Sequence, residues 1–350
     1  MSPPGARQVL RYKKLQEKTM LRKTLILTLL FALLIAGCAP ASSSTVEPVS
    51  VSPVETTPTD IPAADPEATG PHAALTDGLG RQVTLDAPAQ RVVSLAPSLT
   101  ETLFAIGAGS QVVGRDELSD YPAEAQAVEN IGSTFGALNT EAILALEPDL
   151  VVAAEINTPE QVKSLEDLGL TVYYFANPAD FEGLYELVKV MGMLTGNEEE
   201  AASLAESLSA RVAAVEAAVA GVSDKPTVFY EIDGTDPTKP WTTGPGTFMD
   251  TMITLAGGVN IGGVLSEPYA QISSEEIVLQ DSDIIILGDT LYGVTIESIG
   301  ERAGWSGLSA VRNGNVFSFD DNLASRPGPR LVDGLEELLK ILHPELAPTP

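Results

Sequence analysis

Residue types that commonly carry acid–base or metal chemistry are scarce in this sequence. It has 350 residues, with two histidines, His72 and His343, and a single cysteine, Cys38. A Ser-His-Asp triad needs a histidine beside its nucleophile, and transition metals are most often held by clustered imidazole or thiolate groups. We therefore expect no catalytic residues, no metal site and no cofactor. The alternative, an enzyme, would be supported by turnover with the purified protein.

Two glutamates, Glu141 and Glu275, stand in two copies of one pattern, EAILALEPDLVV and EEIVLQDSDIII. Glutamate, aliphatic pair, aspartate and strand-like run recur at the same offsets, 134 residues apart. A carboxylate in the first turn of a helix also complements the helix dipole, which explains each glutamate singly but not the pair. The repeat predicts an internal duplication with two related lobes.

The longest uninterrupted helical pattern covers residues 197–221. It contains neither glycine nor proline from Glu198 to Ala220 and is rich in alanine, glutamate and leucine, which are strong helix formers. Asn197 is expected to cap its start, and Gly221 to end it. Apolar residues recur every three or four positions, at 204, 208, 212, 215 and 219. We predict that this helix joins the two lobes.

Strand and helix patterns alternate on both sides of the joining helix. In residues 74–196 a hairpin precedes four strands and four helices, with Ser98 and Glu101 predicted to form a capping box. Residues 222–350 start the pattern again. The predicted strands are 91–95, 112–114, 150–153, 171–175, 227–232, 283–287 and 316–319. This order predicts an α/β fold of two Rossmann-like lobes, the first built on a parallel sheet.

The first 37 residues have the composition of an export signal. Arg22 and Lys23 precede a short apolar run, 25–36, too short to span a bilayer as a mature helix. The small residues before Cys38 resemble a bacterial lipobox, in which the cysteine is diacylated and becomes the new N-terminus. We predict a lipoprotein signal peptide at 1–37, with Met20 as an alternative start to Met1.

Residues 38–73 are predicted to be a linker, because 17 of residues 39–72 are Ser, Thr or Pro. Seven of the 20 basic residues and one of the 48 acidic residues precede Cys38, which leaves 13 against 47. The strong negative charge of this part of the chain disfavours nucleic acid and anionic lipid as partners. With no second cysteine, the exported part cannot hold an intrachain disulfide.

Six segments, in order, resemble the substrate-binding proteins of bacterial ABC importers, in the branch that carries cobalamin, ferric siderophores or haem. The segments are RVVSLAPSLTETLFAIGAGSQVVG, SDYP, NTEAILALEPDLVV, PWTTGPGTFMDTMITLAGGVN, YAQISSEEIVLQDSDIIIL and RPGPRLVDGLEELLKILHPE. The resemblance covers about residues 74–346 and implies a rigid periplasmic binding protein with one long connecting helix and ligand between its lobes. It also implies an exported, lipid-anchored monomer on the outer face of the cytoplasmic membrane, with permease and ATPase subunits as partners.

The resemblance assigns roles to particular residues. One glutamate on each lobe, here Glu141 and Glu275, docks on permease arginines, which suits the bidentate pairing of carboxylate with guanidinium. Phe135 and Tyr269 occupy positions at which cobalamin-binding members place aromatic rings against the corrin. Tyr121 of SDYP and Trp241 are further ligand candidates. Packing under the loop is the alternative for Tyr121.

Three classes of ligand remain open. Siderophore-binding members use arginines for anionic groups, and Arg115, Arg326 and Arg330 are candidates, although Arg330 is alternatively structural. Leu118 departs from the cobalamin binders, which have a tyrosine there. Cobalamin or another corrinoid comes first, a ferric siderophore second, and haem third, because an axial histidine is missing.

Overall fold

The computed structural model describes residues 70–346. The predicted signal peptide, Cys38 and nearly all of the predicted linker lie outside the described residues. The linker was predicted to extend to residue 73, but Ala73 already belongs to the first strand. His72 contacts the folded body as well, through a hydrogen bond of 2.8 Å between its Nε2 and the Met193 carbonyl oxygen.

The first lobe is built on a parallel sheet, as predicted, and the sheet has five strands in the order β5-β4-β3-β6-β7. A separate antiparallel hairpin, β1 with β2, precedes it. The strands are β1 Ala73–Thr76, β2 Gln82–Leu85, β3 Val92–Ser94, β4 Val112–Arg115, β5 Glu129–Asn130, β6 Leu150–Ala154 and β7 Val172–Phe175. The helices are α1 Pro97–Ala105, α2 Thr140–Ala145, α3 Pro159–Glu166 and α4 Phe181–Thr195.

The second lobe has a mixed sheet in the order β11-β9-β8-β12-β13, with β10 also paired to β8. Its centre is parallel, whereas β9 runs antiparallel to β8 and to β11. The strands are β8 Thr227–Asp233, β9 Trp241–Thr243, β10 Val259–Asn260, β11 Tyr269–Gln271, β12 Ile284–Leu287 and β13 Val316–Ser318. The helices are α6 Phe248–Leu255, α7 Ser274–Gln280, α8 Ile296–Ile299, α9 Ser309–Asn313, α10 Asn322–Ser325 and α11 Leu331–Leu342.

The predicted joining helix is α5, Glu198–Val219. Its buried face packs on α4 of the first lobe and on α6 and α11 of the second. Arg211 adds hydrogen bonds to Glu336 and Asp333 of α11, at 2.8 and 2.6 Å. One hydrophobic cluster runs from the first lobe through α5 into the second lobe. The helix therefore joins the lobes through shared core as well as through the chain.

Both predicted ends of this helix were wrong in their capping detail. The Asn197 side chain makes no capping hydrogen bond. Its backbone N–H instead donates to the Gly192 carbonyl oxygen at 3.0 Å, in the tight turn where Gly196, at φ 76°, ends α4. At the other end Gly221 follows the C-cap Ala220 but lacks the left-handed conformation that is usual for glycine at this position.

The predicted duplication is supported by strand register. Val92 pairs with Leu150 in the first lobe, and Val228 pairs with Ile284 in the second. In each lobe the aspartate of the repeat anchors the neighbouring central strand. Asp149 accepts hydrogen bonds from the backbone N–H groups of residues 90 and 91, and Asp283 accepts from that of residue 227.

The chain also makes the same unusual turn in both copies. Glu147 and Asp281 are the residues other than glycine with positive φ among residues 70–346, at 45° and 46°. They occupy the same place in the repeat, six residues after its first glutamate. Left-handed backbone disfavours most side chains, so its recurrence at matching positions indicates common descent more strongly than a shared helix–strand order does.

The predicted capping box of Ser98 and Glu101 is not formed. Proline is favoured in the first turn of a helix, and α1 begins at Pro97, with Ala96 before it making no side-chain cap. Ser98 therefore lies inside the helix, at its second position. Glu101 is turned toward the second lobe, and only 3% of its surface is exposed.

Candidate functional site

A cavity of about 290 Å³ lies between the two lobes. The first lobe contributes the carboxyl-terminal ends of its strands, and the second contributes segments that follow β12 and β13. Such ends are where open α/β sheets bind ligands, because strand-to-helix loops converge there. The lining residues are Ala96, Pro97, Ser98, Leu118, Ala154, Ile156, Asn177, Tyr292, Asn322, Ser325, Arg326 and Pro327.

Four aromatic side chains that were predicted to bind ligand are all exposed. Phe135 lies in the loop before α2, and Tyr121 in the loop after β4, while Trp241 and Tyr269 begin β9 and β11. Phe135 and Tyr269 are each 60% exposed, whereas other aromatics, such as Trp305, are fully buried. None of the four lines the cavity itself, so their contact with a ligand stays a prediction.

The antiparallel register of β9 and β11 places two of these rings on one side. Tyr269 lies opposite Thr243, and Gln271 lies opposite Trp241. Alternate residues of a strand share a face, and residues directly opposite share it too. Trp241 and Tyr269 therefore project from the same face of this ribbon.

Three apolar side chains around the cavity were missed as ligand candidates. Leu118 and Ile156 are exposed on the first lobe, and Tyr292, on the second, is 86% exposed. Leu118 was noted only as a departure from related sequences. Ile156 and Tyr292 could have been identified from the sequence, because each falls in the loop that follows a predicted buried strand.

An ion cluster crosses between the lobes beside the cavity. The Glu101 carboxylate of the first lobe accepts from Arg330 of the second at 2.6 and 2.8 Å, and from Arg326 at 3.1 Å. Arg326 also donates to Asp120 at 2.7 Å. The Arg330 guanidinium lies 4.0 Å from the ring centre of Tyr121, a cation–π contact. We call these five residues the interlobe ion cluster.

The cluster changes how several predicted residues are understood. Hydrogen bonding to Glu101 raises the pKa of Arg330. Burial alone raises the pKa of the Asp120 carboxyl, but the hydrogen bond and charge of Arg326 outweigh this and leave that pKa below its usual value. Tyr121 packs against Arg330 and is still 46% exposed, so its contact with a ligand stays a prediction. Arg330 is structural.

Arg115 was predicted to bind an anionic ligand, and the structure contradicts this. Its side chain is buried, and its Nε donates to the Ala125 carbonyl oxygen at 2.9 Å. One terminal nitrogen donates to the Asp116 carbonyl oxygen at 3.0 Å. The guanidinium thus satisfies the loop after β4, which would otherwise bury unpaired carbonyl groups.

Glu141 and Glu275 are exposed and occupy the same place, the second residue of α2 and of α7. Neither takes part in a salt bridge among residues 70–346. An exposed aliphatic side chain, Leu144 or Val278, follows three residues later on the same helix face. Each lobe therefore presents a free carboxylate beside an apolar side chain.

Metal-binding clusters and membrane-spanning helices are both absent from the part of the chain that the structure describes. Residues 70–346 contain no group of three histidine, cysteine or acidic side chains arranged to hold a metal ion. No helix within that range has the length and apolar character needed to cross a membrane.

Comparison with known proteins identifies the architecture. Residues 92–323 match the family model described as periplasmic binding protein. The chain belongs to this family. A lipoprotein of Bacillus subtilis (strain 168), named as an ABC transporter substrate-binding protein, is 32% identical over 276 residues, which cover 77% of this chain and 85% of the relative.

Two further relatives are named for what they bind. A cobalamin-binding protein of Halobacterium salinarum is 32% identical over 275 residues, covering 76% of this chain and 73% of that protein. The solved structure of a periplasmic haem-binding protein from Roseiflexus sp. RS-1 has a TM-score of 0.66 and 26% identity, covering 74% of this chain and 99% of that one. The interlobe cavity is thus the candidate ligand site of this chain.

The interlobe ion cluster predicts a large cost for removing its carboxylate. Glu101→Gln leaves two partly buried guanidinium groups, each 15% exposed, under-compensated, so we expect it to lower the free energy of unfolding by about 3 kcal/mol. Urea unfolding of the lipid-free protein beginning at Ala39 measures this. The matched control is Glu337→Gln, which breaks the exposed pair with Lys340 and should cost less than about 0.5 kcal/mol. Equal stability of the two variants would contradict a structural role for the cluster.

Proposed function

We propose that this protein is the extracytoplasmic solute-binding component of an ABC importer, and that it captures cobalamin or a related corrinoid in the interlobe cleft. The family and the cobalamin-binding relative support this. The observation that carries the choice of ligand is the state of the cleft arginines. Arg326 and Arg330 are engaged by Glu101 and Asp120, and Arg115 by backbone carbonyls.

This arrangement favours a ligand with little negative charge. A siderophore that presents several anionic groups needs free cations, because an unpaired buried charge is costly. The whole chain carries a formal charge of −28, which adds repulsion. A corrinoid presents mostly amide groups and a broad apolar ring, which suits exposed aromatic side chains and few charges.

Haem and ferric siderophores are the alternative ligands. The haem-binding structural relative is the observation that favours haem. Against it, His343 is buried near the C-terminus with its Nε2 at the Gly257 carbonyl oxygen, and His72 lies at the outer end of the hairpin. Neither histidine can serve as an axial ligand in the cleft, so haem would need another ligating side chain.

The aromatic residues provide the first test of this proposal. Phe135→Ala or Tyr269→Ala should each weaken cyanocobalamin binding by about 1–3 kcal/mol, because each removes a large contact surface. Titration calorimetry measures the affinity. Leu168→Ala is the control, since this exposed residue lies after α3, at the other end of the sheet. Tight cobalamin binding unaffected by both aromatic changes removes these rings from the site. Binding of haem or a ferric siderophore in place of cobalamin selects an alternative ligand.

We also propose that Glu141 and Glu275 dock onto arginines of the permease. The double variant Glu141→Lys with Glu275→Lys should keep its fold and ligand affinity, since exposed substitutions usually cost less than about 0.5 kcal/mol. Uptake into vesicles that carry the cognate importer should be lost, because like charges then face each other at the interface.

The control for docking is Glu182→Lys with Glu199→Lys. These exposed glutamates are the second residues of α4 and α5, so the pair matches the test variant in helix position and in change of charge. We expect normal uptake with the control pair. Normal uptake with the Glu141 and Glu275 pair would contradict docking at these residues, and lost ligand affinity would place them in the cleft instead.

Membrane attachment through Cys38 is a further part of the proposal. It is supported by the lipobox-like residues before this cysteine and by the lipoprotein relative. Cys38→Ser should release the protein from membranes into the soluble fraction, because the acidic body has no attraction for anionic lipid. Fractionation followed by immunoblotting measures this. Continued membrane association of the variant would indicate a different anchor.

A further inference from the structure

A cluster of three charged side chains lies buried in the second lobe, outside the residues that line the cavity. Glu231 belongs to β8, Asp289 follows β12, and Arg302 follows α8. Glu231 is fully buried, Asp289 is 3% exposed, and the Arg302 side chain is 8% exposed. Buried charges are costly unless they are paired, so the partners of each group decide what this cluster does.

The second sheet brings the two carboxyl groups together. Glu231 lies opposite Leu287 in the parallel pairing of β8 with β12. Asp289 is two residues beyond Leu287, and alternate residues share a face, so Asp289 follows on the side of the sheet that carries Glu231. Both acids meet at Gly234, whose N–H donates to Asp289 Oδ2 at 2.7 Å. A Cβ on Gly234 would overlap the Glu231 carboxylate, so the two acids approach the same glycine closely.

The charges of this cluster do not balance. Both terminal nitrogens of Arg302 donate to the Glu231 carboxylate, one of them at 2.7 Å. Asp289 Oδ1 is buried and has no hydrogen-bond partner among residues 70–346. One guanidinium therefore compensates one carboxyl group, while the second carboxyl group keeps an unsatisfied oxygen beside the first. Two ionised carboxylates are not tolerated in such an arrangement, because like charges at short distance disfavour each other.

The titratable groups on the other face of β8 do not supply a second cation. Beside Gly288 the Tyr230 hydroxyl donates to Asp321. Burial raises the pKa of Tyr230, and the charge of Asp321 adds to this. Asp289 and Asp320 act on the pKa of Tyr230 in the same direction. The surroundings of the two carboxyl groups are therefore acidic or neutral apart from Arg302.

Asp289 links this cluster to the cavity between the lobes. Its carboxylate holds the Gly234 N–H, and its carbonyl oxygen accepts from the Tyr292 N–H at 2.9 Å. Tyr292 ends the short 3-10 turn Thr290–Tyr292 and lines the cavity. The charge state of Asp289 thus bears on the base of a turn that forms part of the candidate ligand site.

We propose that Glu231 and Asp289 share one proton in the folded protein at neutral pH, and that this proton stabilises the turn that carries Tyr292 to the cavity. Two carboxyl groups form a hydrogen bond only when one of them is protonated, and such a proton belongs to the pair rather than to either residue. Burial raises the pKa of Glu231, the Arg302 guanidinium opposes this, and the hydrogen bond and charge of Asp289 raise the pKa again.

The resulting pH dependence of stability has a defined sign. The pKa of Glu231 lies above its ordinary value of 4.5, so above that pH the folded protein holds a proton that the unfolded chain has released. This contribution to stability is fully present below the ordinary value and is lost as the pH rises through the folded pKa. Asp289→Asn removes the dependence, because the amide group donates to Glu231 and the amide oxygen accepts from the Gly234 N–H without a bound proton.

Thermal unfolding of the purified protein at about pH 5 and about pH 8 tests the shared proton. We expect the melting temperature of Asp289→Asn, relative to that of the unaltered protein, to rise by about 3 °C or more between the two pH values. Asp233→Asn is the matched control, because it removes the same charge from an exposed aspartate two residues after Glu231, and its relative melting temperature should change by less than about 1 °C. Equal profiles for the two variants would overturn the proposal. A gain for Asp289→Asn that is the same at both pH values would assign a buried water to Asp289 Oδ1, and would overturn it too.

Two spectroscopic measurements complete the test, and neither requires a ligand, so their outcome is independent of the proposed corrinoid function. Infrared spectra of the unaltered protein at neutral pH should contain the carbonyl band of a protonated carboxyl group. Absence of this band would overturn the shared proton even if Asp289→Asn failed to fold. Hydrogen exchange at about pH 8 should be slower for residues 288–293 in Asp289→Asn than in the unaltered protein. Equal exchange would overturn the stabilisation of the turn.

Discussion

The ion pairing of Glu101 with Arg326 and Arg330 is the interaction on which the cleft depends. It joins α1 of one lobe to the segment before α11 of the other, across more than 220 residues of sequence. A carboxylate this deeply buried is tolerated only when it is paired, and separation of the lobes here would break the three hydrogen bonds that Glu101 accepts from Arg326 and Arg330. The pairing also occupies the two arginines, which leaves the cleft with apolar and neutral polar surfaces.

A second connection lies along α5 and its neighbours. The hydrophobic cluster shared by the lobes and the contacts from Arg211 to α11 make α5 part of both cores. With the interlobe ion cluster, the lobes are held at two separate places. A preformed cleft loses less conformational freedom on binding than one that must close, which helps affinity. The fixed arrangement of the lobes also keeps Glu141 and Glu275 at a set spacing, which suits the proposed recognition of two sites on one permease.

Local signals in the sequence predicted the elements well but not the partners of their side chains. The capping box of Thr158 and Gln161 and the cap of Asn139 follow from local spacing, because every group involved lies within four residues. Ser98 and Glu101 show the same local spacing, yet Glu101 pairs with arginines 225 and 229 positions away. Nothing in a window of the sequence distinguishes the two cases.

The candidate site likewise contains residues that the sequence could identify and residues whose role depends on partners far away in the sequence. The four aromatic candidates and the two candidate docking glutamates could be named from pattern and resemblance, and all six are exposed. The role of Arg115 could not be predicted, because its partners are carbonyl oxygens of a folded loop. The cavity wall at Ser98 was missed for a related reason. The resemblance implied a cleft between the lobes, but which side chains face it depends on how the two lobes meet.

The rigidity of the cleft is the central claim, and the distance between the two lobes on ligand binding tests it most directly. Spin labels on Glu141→Cys and Glu275→Cys, in protein beginning after Cys38 and so free of other cysteines, report that distance by pulsed electron paramagnetic resonance. With cyanocobalamin added we expect the distance to change by less than about 2 Å, as in pre-organised complexes. A change of more than about 5 Å would contradict this account and indicate hinged closure of the lobes.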